Sequence, residues 1–192
     1  MIQFNDFLSQ EYVNELENTL VDPRFPWYYH KHTSPLIQRE ADFPKTILDT
    51  SQFTHVFFEG KKATSDCYDL IIDIIHEVEK NLDKKYLHRL YRAKANLLYK
   101  HSNYPEDYFN MPHVDMSFGK IESFLYYVND SDGDTIIFDK TEQDDGVMMI
   151  KNRIKPQKGS GILFDSSFYH SSTPPKQSEI RIVINFLFLK NE

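Results

Sequence analysis

Arg181-Ile182-Val183-Ile184-Asn185-Phe186-Leu187-Phe188-Leu189 decides the fold class. Successive side chains of an extended strand point to opposite faces, so Arg181, Val183 and Asn185 share one face and Ile182, Ile184 and Phe186 the other. Working back from this run, short apolar or alternating stretches recur at residues 86–99, 121–128, 135–138, 147–150 and 161–165. Turn clusters such as Asn129-Asp130-Ser131-Asp132-Gly133 and Gln157-Lys158-Gly159-Ser160-Gly161 separate them. Many short strands without intervening helices exclude a Rossmann-type alternation and indicate an antiparallel β-core, for which a double-sheet jelly roll is the natural closure.

Upstream the period is helical. Ser9 is a plausible N-cap, Glu11 sits in the first turn, and Tyr12, Val13, Leu16 and Leu20 form a stripe that Asp22-Pro23 ends. Phe25-Pro26-Trp27-Tyr28-Tyr29-His30 reads as extended because Pro26 forbids a helix interior. Residues 31–60 show no sustained period and read as an irregular stretch and candidate lid, and whether they or 139–146 move as lids is not legible. A second helix is predicted over 65–82 from Ile71, Ile74, Ile75, Val78 and Leu82. The expected architecture is therefore α+β in one domain of 192 residues. Residues 1–85 would supply helical support and a lid, and 86–192 the jelly-roll core.

Composition narrows the function classes. Hydrophobic residues make up 40%, aromatic 15% and charged 27% of the chain, ordinary values for a globular protein. The formal charge of −7 argues against broad binding to nucleic acid or anionic membranes, although Lys84, Lys85, His88, Arg89, Arg92 and Lys94 form a local basic cluster. That cluster reads as a solvated turn and strand edge. A single cysteine, Cys67, excludes an intramolecular disulfide and a Cys-rich metal site. With neither an N-terminal signal pattern nor a membrane-length apolar run, the chain is expected to be soluble and cytoplasmic. The oligomeric state is not legible.

Chemistry concentrates at His113-Val114-Asp115. The i, i+2 spacing lets both ligands reach one metal from a single strand. With eight histidines in the chain, about one such His-x-acid match is expected by chance, so context must decide. His170 follows a strand end at Phe164-Asp165, and Arg181 opens the strand quoted above. Two histidines and a carboxylate can form the facial triad of non-haem Fe(II), which leaves room for a chelating 2-oxo acid and O2. They can equally hold zinc with a water. Arg181 reads as an edge charge or as a fork gripping a buried carboxylate, and the fork favours the iron reading, since hydrolysis does not call for it. His30, His32, His55, His76, His88 and His101 lack such a setting.

From about residue 92 to 188 the chain resembles the Fe(II)/2-oxoglutarate-dependent oxygenases, in particular the prolyl-4-hydroxylase-like and phytanoyl-CoA-hydroxylase-like groups. The resemblance rests on the order of Arg92-Ala93-Lys94-Ala95-Asn96-Leu97, His113-Val114-Asp115, Phe124-Leu125-Tyr126-Tyr127-Val128-Asn129, Gly159-Ser160-Gly161-Ile162-Leu163-Phe164-Asp165 with His170, and Arg181-Ile182-Val183-Ile184-Asn185-Phe186. Phe4-Asn5-Asp6-Phe7-Leu8-Ser9 and Phe25-Pro26-Trp27-Tyr28-Tyr29 are similar to small bacterial and phage members.

The resemblance implies a double-stranded β-helix with the N-terminal helices packed on its major sheet. It implies that His113, Asp115 and His170 bind Fe(II), that 2-oxoglutarate chelates the iron, and that Arg181 pairs with the distal carboxylate. Tyr127, Asn96 and Tyr99 are candidate further contacts to 2-oxoglutarate. The implied reaction consumes 2-oxoglutarate and O2, releases succinate and CO2, and hydroxylates a C–H bond of a protein residue such as proline, or of a small molecule. Arg181 departs from the lysine typical of procollagen-type prolyl hydroxylases, which puts a collagen-like substrate in doubt. Two alternatives stand beside this reading: a non-catalytic metal-binding jelly-roll module, and an oxygenase acting on a modified nucleobase.

Overall fold

An apolar strand whose two faces differ in chemistry must be covered on both sides, and the molecule is layered accordingly. The computed structural model describes residues 1–34, 47–48, 50–116 and 120–190. In chain order they form β1 (Ile2–Phe4), α1 (Gln10–Val21), β2 (Tyr28–His30), β3 (Ile47–Leu48), β4 (Gln52–Glu59) and β5 (Lys62–Ala63). A 3-10 turn (Tyr68–Ile71) leads into α2 (Ile72–Leu82), and a second (Leu87–Arg89) into β6 (Leu90–Tyr99). Then follow β7 (Phe109–Asn110), β8 (Ile121–Tyr127), β9 (Thr135–Thr141), β10 (Ile150–Ile154), β11 (Gly161–Asp165), β12 (Phe168–Ser172) and β13 (Ile180–Leu189).

The major sheet runs β1-β11-β8-β13-β6-β4-β2, with β5 beside β4, and every pairing in it is antiparallel. A second antiparallel sheet runs β10-β9-β12, and β3 pairs with β7 in parallel. The result is an α+β double-stranded β-helix. On the outer face of the major sheet, Leu16 and Leu20 of α1 and Ile74, Ile75 and Val78 of α2 join one core with Ala93, Ala95, Phe124, Tyr126, Ile182, Ile184 and Phe186. Each such aliphatic side chain contributes roughly 1.5–3 kcal/mol by leaving water. On the inner face Leu125, Tyr127, Ile162, Phe164 and Val183 meet Ile137 of the second sheet. Among the described residues no helix is long and apolar enough to cross a membrane.

The Ser9 cap forms as expected, its hydroxyl accepting from the Tyr12 backbone N–H. Three expectations need correction. Residues 52–59 are not irregular: β4 is a full member of the major sheet, pairing with both β2 and β6. Its alternation is inverted, with buried polar Gln52 and Thr54 on the inner face and Phe57 in the outer core, so no polar-out signature shows. The predicted strand at 147–150 lies instead at Ile150–Ile154, because Val147 and Met149 stand exposed while Met148 alone is buried with Phe109 and Phe138. The strand predicted from 86 begins at Leu90, after the 3-10 turn that follows the buried Tyr86. Most of the remaining 31–60 lid candidate, residues 35–46 and 49, lies outside the described residues.

Candidate metal centre

His113 and His170 come together through the backbone. Each donates its N–H to the other's carbonyl at 2.9 Å, an isolated antiparallel bridge that sets the two imidazoles 4.6 Å apart between ring centroids. Both Nδ1 atoms lie 3.2 Å from a carbonyl two residues upstream, Met111 for His113 and Phe168 for His170. An Nδ1–H donated there leaves each Nε2 lone pair free for a metal. His170 Nε2 is 3.5 Å from Asp115 Oδ2, and one ligand atom from each of the three residues lies within 4.8 Å of the others. The set fits a single ion.

Asp115 is fixed from three strands. Arg92 donates to Oδ1 at 3.0 Å, Ser123 to Oδ2 at 2.7 Å, and the Asn185 amide reaches both oxygens at 3.0 and 3.1 Å. Ser166 steadies Ser123 from behind at 2.6 Å. Burial alone would push the Asp115 carboxyl up, yet the nearby His170, Arg92 and His113, with the Ser123 hydrogen bond, hold it well below the usual carboxylate range. His113 goes the other way for a base: burial, then repulsion from His170, pull it down from 6.5 to about 4. An anionic carboxylate beside a neutral imidazole is the protonation state that metal binding requires.

Arg181, on the same face of β13 as Val183 and Asn185, is buried at the far end of the cavity. Its Nε donates to Gly133 carbonyl at 2.7 Å and one terminal nitrogen to Thr135 Oγ1 at 2.8 Å. Burial lowers its pKa from the ordinary arginine value, opposed by Tyr127 and Asp134. Gly133 is required by close approach: a Cβ there would stand 2.6 Å from the Thr173 carbonyl and 2.8 Å from Arg181 Cδ.

The cavity is walled by Gln52, Lys94, Asn96, Leu98, Leu125, Thr135 and Val183 besides the residues above. Asn96 faces it with its amide nearly uncommitted, a single contact of 3.5 Å to the Lys94 carbonyl. Two candidate contacts, Tyr127 and Tyr99, do not line the cavity. Tyr127 is buried but spends its hydroxyl proton on Thr135 Oγ1 at 3.0 Å, so it stands behind the cavity wall. Tyr99 is 58% exposed and packs on Phe53, because three residues from Asn96 along β6 the side chain points to the opposite face. Thr135 was not foreseen. Its oxygen accepts from both Tyr127 and Arg181, so its own hydrogen is free to donate into the cavity. Arg92 and Lys94, expected at a solvated edge, lie on the inner face of β6, Arg92 against Asp115 and Lys94 in the cavity wall. Burial, then Arg92, pull the Lys94 ammonium down to about 8.

Two facing antiparallel sheets around a half-buried His-x-Asp and a distant buried His that together could hold a metal ion define the double-stranded β-helix class. Residues 99–189 match the family model described as the 2OG-Fe(II) oxygenase superfamily, oxidoreductases that use Fe(II), 2-oxoglutarate and O2. Solved structures agree in fold. An oxidoreductase of the 2OG-Fe(II) oxygenase family from Burkholderia pseudomallei superposes with a TM-score of 0.63 at 10% identity, over 99% of this chain and 85% of that one. A prolyl hydroxylase from Trichoplax adhaerens, in complex with a hypoxia inducible factor peptide fragment, gives 0.61 at 13% identity over 98% and 82%. A Pseudomonas putida prolyl-4-hydroxylase gives 0.55 at 17% identity over 99% and 92%. No curated protein matches the chain.

Proposed function

We propose that the chain hydroxylates a C–H bond of a protein residue or a small molecule, with His113, Asp115 and His170 as the ligands of Fe(II). The single observation that carries this reading is the pair of imidazoles whose Nδ1 atoms are both tied to carbonyls while their Nε2 atoms and the anchored Asp115 carboxylate converge. Iron bound there would supply O2 activation coupled to the conversion of 2-oxoglutarate and O2 into succinate and CO2, with the second oxygen atom inserted into the C–H bond. Arg181 orients the cosubstrate by holding its distal carboxylate, and the free Thr135 hydroxyl hydrogen gives that carboxylate a second donor. Asn96 lies along the same wall with a donor to spare. Asn185, Ser123 and Arg92 keep Asp115 from rotating away or taking a proton. Leu98, Leu125 and Val183 keep the space between the ion and Arg181 dry. A prolyl substrate is one candidate, since two of the solved structures that share the fold are prolyl hydroxylases.

The test is O2-dependent formation of succinate from 2-oxoglutarate by the Fe(II)-loaded protein, screened against proline-containing peptides and small-molecule classes. The expected outcome is a product one oxygen atom heavier than its substrate, lost in His113→Ala and Asp115→Ala. Undiminished succinate formation in both variants would sink the assignment.

A further inference from the structure

Among the described residues, Lys94 is a cation without an assigned anion. It lies on β6 directly across from Asn185 of β13, on the face that lines the cavity with Asn96 and Leu98. Arg92, two positions earlier, is committed to Asp115 at 3.0 Å. Among the described residues no carboxylate comes within ion-pair distance of the Lys94 ammonium, and Asp115 and Glu59 act on it only through space. A lysine at a solvated edge needs no partner. One held half-buried in a cavity wall has given up part of its water, and an anion in the cavity restores what it lost.

Position decides which anion. Arg181 pairs across the strands with Leu98, four residues from Lys94, or about 13 Å along the strand. The two cations therefore serve different groups. On the reading above, on which this inference rests, Arg181 takes the distal carboxylate of 2-oxoglutarate. Its other carboxylate and Asp115 are then both held at the metal dication, where Asp115 also keeps Arg92. Lys94 stays unmatched when metal and cosubstrate are both in place, and a neutral substrate would leave it so.

We propose that Lys94 is the specificity-determining residue for a carboxylate on the prime substrate, which it holds on the β6 side of the metal centre with the Asn96 amide as second donor. The substrate class is thereby a carboxylic acid whose reacting carbon lies close to its carboxylate.

The probes are N-acetylproline, 3-phenylpropionate and hexanoate, each against its own primary amide. They are titrated calorimetrically into the anaerobic protein loaded with Mn(II) and 2-oxoglutarate. In the wild type at least one acid is expected to bind about tenfold tighter than its amide. Lys94→Met should erase that preference and Lys94→Arg retain it, with 2-oxoglutarate affinity changed by less than roughly threefold in both. A wild type that prefers none of the acids overturns the proposal, and this comparison stands even if Lys94→Met fails to fold. A preference that survives Lys94→Met overturns it too, as does a tenfold loss of 2-oxoglutarate affinity in that variant, which would assign Lys94 to the cosubstrate. Failure of the wild type to take up 2-oxoglutarate with Mn(II) is a separate result: it overturns the reading of the metal centre, and this inference with it.

Discussion

At the scale of single residues, the centre depends on groups that touch the ligands rather than the metal. Asn185→Leu leaves the triad intact but removes the amide that bridges both Asp115 oxygens. Metal affinity should fall about 10- to 100-fold, read by competition with a coloured chelator. Gly133→Ala acts through Arg181. The added methyl meets the Thr173 carbonyl and Arg181 Cδ, so the guanidinium must shift and 2-oxoglutarate affinity should drop by more than tenfold, about 1.4 kcal/mol, while Fe(II) affinity is kept. Equal affinity for 2-oxoglutarate in wild type and variant would show that Arg181 does not bind it. The protonation of His113 carries a pH signature. Its folded pKa of about 4 lies below the ordinary 6.5, so the unfolded chain binds the extra proton between those values. The metal-free protein should lose stability as pH falls from about 6.5 towards 4, and His113→Phe should flatten that slope in denaturant titrations at several pH values.

At the scale of elements, β13 does two jobs at once. Its even-numbered residues anchor the outer core under α1 and α2, and Arg181, Val183 and Asn185 furnish the cavity. This division was legible in the alternation of the strand that Arg181 opens, while His113, Asp115 and His170 were named from the His-x-Asp spacing and the family resemblance; all four line one cavity. Parity on β6 was equally available and was not applied. Asn96 and Tyr99 are three apart and cannot share a strand face, whereas Arg92, Lys94 and Asn96 must. A charge count blurred the last point by grouping Lys94 with surface lysines. Thr135 gave no signal of any kind, since its role arises only from two donors on other strands. β4 stayed hidden because both its faces are covered and its inward residues are the polar ones. Helix α2 supplies stability remote from the chemistry. Ile74→Ala, at a fully buried position, should cost about 2–5 kcal/mol in urea unfolding while metal affinity stays at the wild-type value.

For the whole molecule, a large core between the helices and the outer face of the major sheet, with a smaller one between the two sheets, holds the fold, so the metal is expected to be a ligand of a folded protein and not its keystone. Mn(II) at about 100 times its Kd should stabilise the chain by about 2.7 kcal/mol, a rise of roughly 5–11 °C in Tm for a chain of this size. Unfolding on chelation alone would instead mark a structural site. The most direct measurement is an anaerobic titration of 2-oxoglutarate into the protein with and without Fe(II), repeated for Asp115→Ala and Arg181→Met. If the cavity is a chelating oxygenase site, one 2-oxoglutarate binds per chain, only with Fe(II) present. Binding is then lost in Asp115→Ala and weakened by about 30-fold or more in Arg181→Met, about 2 kcal/mol for stranding a buried charge. Binding that ignores Fe(II) and both substitutions would contradict the assignment of the metal centre outright.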